Sequence, residues 1–194
     1  MNEQLKDSDG LSAEQSLDLI SGMIRQAQGN VSYNARYFLL WGWCITLADF
    51  GMYGLMKFTD YHHPSIVWLL TIPATIVTII YGVKEKREST SQTHFDKVTT
   101  WLWICLFFII TPIIAFGYKI NFQINPLILL VTAFPTFITG IILRFKPLII
   151  GGICFWIFSI LCFMADAQTQ PLIGGMAIIT GYLIPGYLLK KSKD

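Results

Sequence analysis

Charge is scarce in this chain. Of its 194 residues, 13% are Asp, Glu, Lys or Arg, where a soluble domain carries about 25%. The deficit is filled by apolar residues, 54% of the total, and the mean hydropathy is +0.55. That balance excludes an ordinary soluble domain and points to a membrane protein. No basic run interleaved with aromatics is present, so nucleic acid is not an expected partner. The four cysteines, Cys44, Cys105, Cys154 and Cys162, form no CxxC pair, which argues against a disulfide framework or a zinc ribbon.

Catalytic signatures are missing too. The chain has no GxGxxG, GxxxxGK[ST], GxSxG or HExxH, so no cofactor, metal or enzymatic activity is expected. No Ser-His or paired-aspartate arrangement suggests an intramembrane protease. The start, MNEQLKDSDG, is acidic and polar and lacks a basic n-region. No cleavable signal peptide is therefore expected, and the first hydrophobic helix stays in the protein.

What is abundant is long apolar sequence. A bilayer core of about 30 Å needs about 20 apolar residues in a helix. Six stretches qualify, at about 37–57, 65–83, 98–119, 126–143, 147–165 and 170–189. The runs are continuous and not alternating, which favours helices over barrel strands. The expected fold is all-α: a polytopic bundle of six transmembrane helices over residues 36–189, a cytoplasmic arm at 1–35 and a basic tail at 190–194.

Orientation follows from the connections. Lys6, Arg25, Arg36, Lys84, Lys86, Arg87, Lys97, Arg144, Lys146, Lys190, Lys191 and Lys193 fall on one side, and Lys57 and Lys119 on the other. By the positive-inside rule both termini are cytoplasmic, in a multi-pass protein of the cell inner membrane. Trp41, Trp43, Trp101 and Trp103 then sit in the inner leaflet, with Trp68 and Tyr61 near the outer interface.

The arm carries "SAEQSLDLISGMIRQAQ" at 12–28. Ser12 and Gln15 fit a capping box, Gly29-Asn30 reads as a stop, and Leu17, Ile20, Ile24 and Ala27 share one helical face. One Arg and two acids make a poor ligand for anionic lipid. The helix either folds back on its own bundle or docks another protein or a second copy.

Three hairpins suggest a repeat. The in-to-out helices carry "WGWC", "WLWIC" and "GGICFW", and the out-to-in helices each contain a proline. Cys44, Cys105 and Cys154 stand at a common depth, where they read as packing residues. Pro73, Pro112, Pro135 and Pro185 are expected to kink their helices. Thr71, Thr75, Thr132 and Thr136 stand ready to satisfy the freed carbonyls.

One residue is out of place. Asp49 lies about 18 Å into the first span, slightly beyond the midplane at about 1.5 Å per residue. Exposed to lipid there it costs on the order of 2.5–3.5 kcal/mol, so it faces the bundle. Its stripe is Gly42, Thr46, Asp49 and Tyr53, small and polar along one face. No intramembrane Lys, Arg or His is available to neutralise it. It is an acid hydrogen-bonded between helices, a proton- or cation-coupled site, or a group reached by an aqueous vestibule from outside.

Other candidates are weaker. Asp60, His62 and His63 lack a third metal ligand, His94 and Asp96 precede the third span, and Asp166 ends the fifth. Ala177, Gly181 and Pro185 form a small-residue seam. "FITGIILRFKPLIIGGI" and "GYLIPGYLL" give the chain a general look that resembles uncharacterised six-helix membrane proteins of Bacteroidota, a likeness that implies no activity. The expected role is a non-enzymatic accessory or regulatory partner of another protein. The alternatives are a small solute or ion transporter built on Asp49 and the proline-interrupted helices, and an intramembrane lipid-modifying enzyme. A homo-oligomer would use the Gly42 or Gly181 seam.

Overall fold

The computed structural model describes residues 13–59, 61–88 and 94–191, with side chains from 35 onward except 85–96. Ser12, Asp60 and the 190–194 tail beyond Lys191 lie outside the described residues, as do the side chains of Arg25, His94 and Asp96. Six helices are long and apolar enough to cross a membrane: Ala35–Phe58, Pro64–Lys84, Lys97–Ala115, Ile124–Ile142, Lys146–Met164 and Gln170–Lys191. The protein is an all-α, multi-pass bundle, and among the described residues no strand occurs.

Helix α1 spans Ala13–Phe58, 46 residues without interruption. Gly29-Asn30 was expected to end an arm helix, and it does not. A mid-helix glycine costs about 1 kcal/mol relative to alanine, too little to break a helix that has no proline anywhere in its length.

The second span opens with a 3-10 helix, Pro64–Leu70, and continues as α2, Thr71–Glu88. Pro73 therefore falls in the first turn of α2, where a missing N–H matters least. Junction carbonyls are covered from the side: the Thr71 hydroxyl donates to Trp68 O at 2.6 Å, and the Cys44 thiol to Leu70 O at 3.2 Å. Helix α3, His94–Ala115, carries Pro112 near its end. A 3-10 turn follows at Gly117–Ile120, and Asn121 and Phe122 take left-handed backbone at φ 51° and 57°. Helix α4 is Ile124–Ile142, with Pro135 inside.

Helix α5, Lys146–Met164, follows after a tight turn. Phe145 N–H donates to Gly140 O at 2.9 Å and Arg144 N–H to Ile141 O at 3.0 Å. This pairing closes α4 with Arg144 left-handed at φ 52°. The sixth span is α6, Gln170–Ile178, then a π turn, Ile179–Leu183, then α7, Ile184–Lys191. Ile184 N–H reaches back five residues to Ile179 O. At Pro185 the helix thus widens into a π turn just before the ring, the local adjustment that a missing N–H calls for.

Packing depends on close approach. A Cβ at Gly140 would lie 2.7 Å from Ile149 N, and one at Gly152 2.9 Å from Phe137 Cα, so α4 and α5 touch backbone to backbone. Gly151 meets Gly181 O in the same way at 2.8 Å, seating α5 on the π turn. Helix α1 runs antiparallel to the sixth span, with Gly186 against Phe38 and Leu39 and Gly42 against Tyr182 and Leu183. The expected Gly42 and Gly181 seams are therefore filled inside the chain. Tyr182 centres the core, its ring 5.0 Å from Phe155 and 5.4 Å from Phe38.

The second and third spans sit outside this core. They are 6% and 11% buried, against 56% for the sixth, so their apolar surface belongs to lipid. Successive spans do pair as hairpins, but the most extensive contacts, α4 with α5 and α1 with the sixth span, lie between hairpins. The three levelled cysteines do not converge: Cys105 is exposed, and Cys44 and Cys154 are half-buried.

Candidate functional site

The stripe predicted on α1 is sorted by the structure. Thr46 is 4% exposed and Asp49 3%, with Asp49 facing Gly174 of the sixth span, while Tyr53 is only half-buried. Neither Asp49 Oδ1 nor Thr46 Oγ1 has a hydrogen-bond partner among the described residues. Thr139 Oγ1 on α4 is a third such atom, whereas several other intramembrane threonines bond. The hydroxyls of Thr75, Thr78, Thr111 and Thr136 each donate to the carbonyl four residues back, at 2.8–2.9 Å. An acid hydrogen-bonded between helices was one expected reading, and among the described residues no such bond reaches Oδ1. Leaving a buried polar group unsatisfied costs about 1–3 kcal/mol, which packing elsewhere must offset.

Two glycines make room for the acid. A Cβ at Gly174 would stand 2.9 Å from Asp49 Oδ2, and one at Gly175 2.9 Å from Phe50 Cε1. The Gly-Gly pair on α6 therefore lies directly across from Asp49-Phe50 on α1. Gly174 is four residues into α6, about 6 Å along its axis, so Asp49 sits closer to the end of the bundle where α1 finishes than to the other.

That end is closed by a polar collar. Gln170 Nε2 donates to Gln123 Oε1 at 2.7 Å, joining α6 to the start of α4. Gln168 Nε2 donates to Met56 O at 2.8 Å, tying the turn before α6 to α1. Ser159 Oγ on α5 donates to Pro126 O on α4 at 2.8 Å. Cys162 is fully buried and donates to Gln170 O at 3.7 Å. In the turn itself, the Thr169 hydroxyl donates to the Asp166 carboxyl, and the Thr169 and Gln168 amides add further bonds. Together they hold that exposed carboxyl below its usual range.

Sequence reasoning found Asp49 and Thr46 but missed Gln123, Gln170, Cys162 and Gly174. A glutamine beside a proline at the head of a span, as in "TQPLIGG", was the available signal. His62 and His63 are exposed, and no group of three metal-ligating side chains occurs among the described residues. No family model, no curated protein and no solved structure matches this chain.

The contact between Asp49 and Gly174 can be tested by a double-mutant cycle. Gly174→Ala should lower stability in detergent by about 1 kcal/mol, because the new methyl meets the carboxyl. In an Asp49→Ala background the same change should cost little, leaving a coupling energy on the order of 1 kcal/mol. Thermal unfolding of the four proteins measures it, and additive effects would contradict the contact.

Proposed function

We propose that this protein is a non-enzymatic membrane protein of the inner membrane, acting as an accessory or regulatory partner of another protein. Its basic end is cytoplasmic, with both termini on that side. The observation that supports this reading most is the unbroken α1, 46 residues long, about twice what a span requires. A rigid helix that begins outside the bilayer and ends beside the bundle core links whatever binds the arm to the packing around Asp49. An apolar face on that arm is the feature a helix-docking partner reads.

Quantitative mass spectrometry on the protein, purified gently from its native membrane, tests the reading. A stoichiometric companion should be present, and lost when residues 1–30 are deleted, while the six-span bundle remains folded. A companion-free protein contradicts it.

A second reading, a proton- or small-cation-coupled carrier, is favoured by the two unpartnered oxygens of Asp49 and Thr46. Intramembrane acids facing a bundle interior mark ion pathways in many carriers. In proteoliposomes under an imposed proton or sodium gradient, Asp49→Asn should cut flux at least about tenfold, the effect of losing about 1.4 kcal/mol. Flux equal to that of the native protein would remove this reading.

A further inference from the structure

The buried polar side chains of the bundle stand at successive depths. Gln170 opens α6 and bonds to Gln123 at the head of α4. One turn further in, Gly174 faces Asp49. Thr46 comes next on α1, between Asp49 and the Gly42 that meets Tyr182. The Tyr182 hydroxyl lies 3.4 Å from the Thr136 hydroxyl of α4, and Thr139 stands one turn beyond Thr136. From Gln123 to Thr139 is 16 residues along α4, about 24 Å. The column thus covers most of a bilayer core of about 30 Å, and it ends three residues short of the close of α4 at Ile142.

Apart from the half-buried Gln123, each of these side chains is at most 4% exposed. Asp49 Oδ1, Thr46 Oγ1 and Thr139 Oγ1 have no hydrogen-bond partner among the described residues. Each such atom costs about 1–3 kcal/mol, and an apolar group of the same shape avoids that cost. Packing alone therefore does not account for hydroxyls at these depths. Groups of this kind are the ones that buried water bridges.

Tyr182 joins the two halves of the column. It belongs to the π turn Ile179–Leu183, a local widening of the kind that recurs at functional sites. Its ring is held by Phe38 and Phe155, which leaves the hydroxyl fixed beside Thr136. A hydroxyl both donates and accepts, so it can take a proton on one side and release one on the other.

The chemistry favours a proton over a metal cation. A hard cation takes about six or more oxygen ligands, and on this face of α1 the side-chain oxygens are those of Asp49 and Thr46. A proton needs one carboxylate oxygen. Asp49 is the one acid among the described residues of the six spans. In its half of the bundle the other titratable side chains are Cys162 on α5 and Cys44 and Tyr53 on α1, with Tyr182 deeper in the sixth span. All four are uncharged at neutral pH by their ordinary values. Helix α4 and the 3-10 helix bring none, and Lys57 and Asp166 at the outer end are exposed. The charge that moves through this interior is therefore the one on Asp49.

The geometry points to a proton path. Asp49 takes a proton delivered past Gln170 and passes it by way of Thr46, Tyr182, Thr136 and Thr139, with bridging water, to the basic end of the bundle. The proton leaves hydronium, turns the carboxylate into the acid, and returns to water at the far side, with no change of oxidation state. This rests on the carrier reading above and adds the ion and the route.

Proteoliposomes of the full chain, loaded with a pH-sensitive dye and given a pH gradient, test it, with valinomycin and potassium balancing charge. The native protein should carry protons. Asp49→Asn should lower the rate at least about tenfold, and Tyr182→Phe and Thr139→Val, which keep the shape and drop a hydroxyl, about fivefold each. Thr111→Val, at an exposed threonine that donates to Phe107 O outside the column, should run at the native rate. A native rate in Tyr182→Phe or Thr139→Val overturns the route and leaves the carrier reading standing. Asp49-dependent uptake of radioactive sodium without proton movement does the same. No ion flux that depends on Asp49 overturns both. The two hydroxyl variants decide the route even where Asp49→Asn fails to fold.

Discussion

Lipid tails are as apolar as leucine, so helices inside a bilayer gain little from burying apolar surface and depend on close contact. In this protein that contact is made by glycines on facing helices. Gly42, Gly174, Gly175 and Gly186 let α1 lie along the full length of the sixth span, and Gly140, Gly151, Gly152 and Gly181 do the same for α4, α5 and the π turn. Around these seams Phe155, Tyr182, Phe38 and Leu148 fill the core. The second and third spans, without comparable seams to the core, stay at the periphery.

The same constraint positions the unusual polar groups. Asp49 is accepted in the interior because Gly174 has no side chain to exclude it, and a collar of Gln170, Gln123, Gln168 and Ser159 closes that end with short hydrogen bonds. The acid's Oδ1 and its neighbour Thr46 Oγ1 are, with Thr139 Oγ1, the buried side-chain oxygens left without a hydrogen bond among the described residues. Such atoms are retained only if the surrounding packing over-determines them. The position of Asp49 on α1 then gains meaning, because the helix that holds it also leaves the membrane as the arm.

Six spans were legible from composition because the bilayer sets their length and the connections are visibly polar. The position of Asp49 against the bundle was legible as well, from the cost of exposing it. The continuity of α1 was not: Gly-Asn is a common stop, but here no proline follows, and the helix carries on into the membrane. Depth along a span could be counted, so Cys44, Cys105 and Cys154 were placed on one level. Direction around the helix could not be counted, and Cys105 faces outward while the fourth cysteine, Cys162, is the buried one. Gly174, which packs against Asp49, lies more than 100 residues away in the chain, and no local pattern pairs 49 with 174. Pro185 announced a disturbance without revealing that a π turn absorbs it.

The central claim is that arm and span form one rigid helix. Spin labels at Ser16 and Leu47, introduced as labelled amino acids so that the native cysteines remain, would be 31 residues apart, or about 46 Å on an unbroken helix. Pulsed electron spin resonance in nanodiscs reads that distance. A single narrow peak near it is the predicted result. A broad distribution, or a peak well short of it, would mean that the chain bends at Gly29-Asn30 and that the arm is free of the bundle.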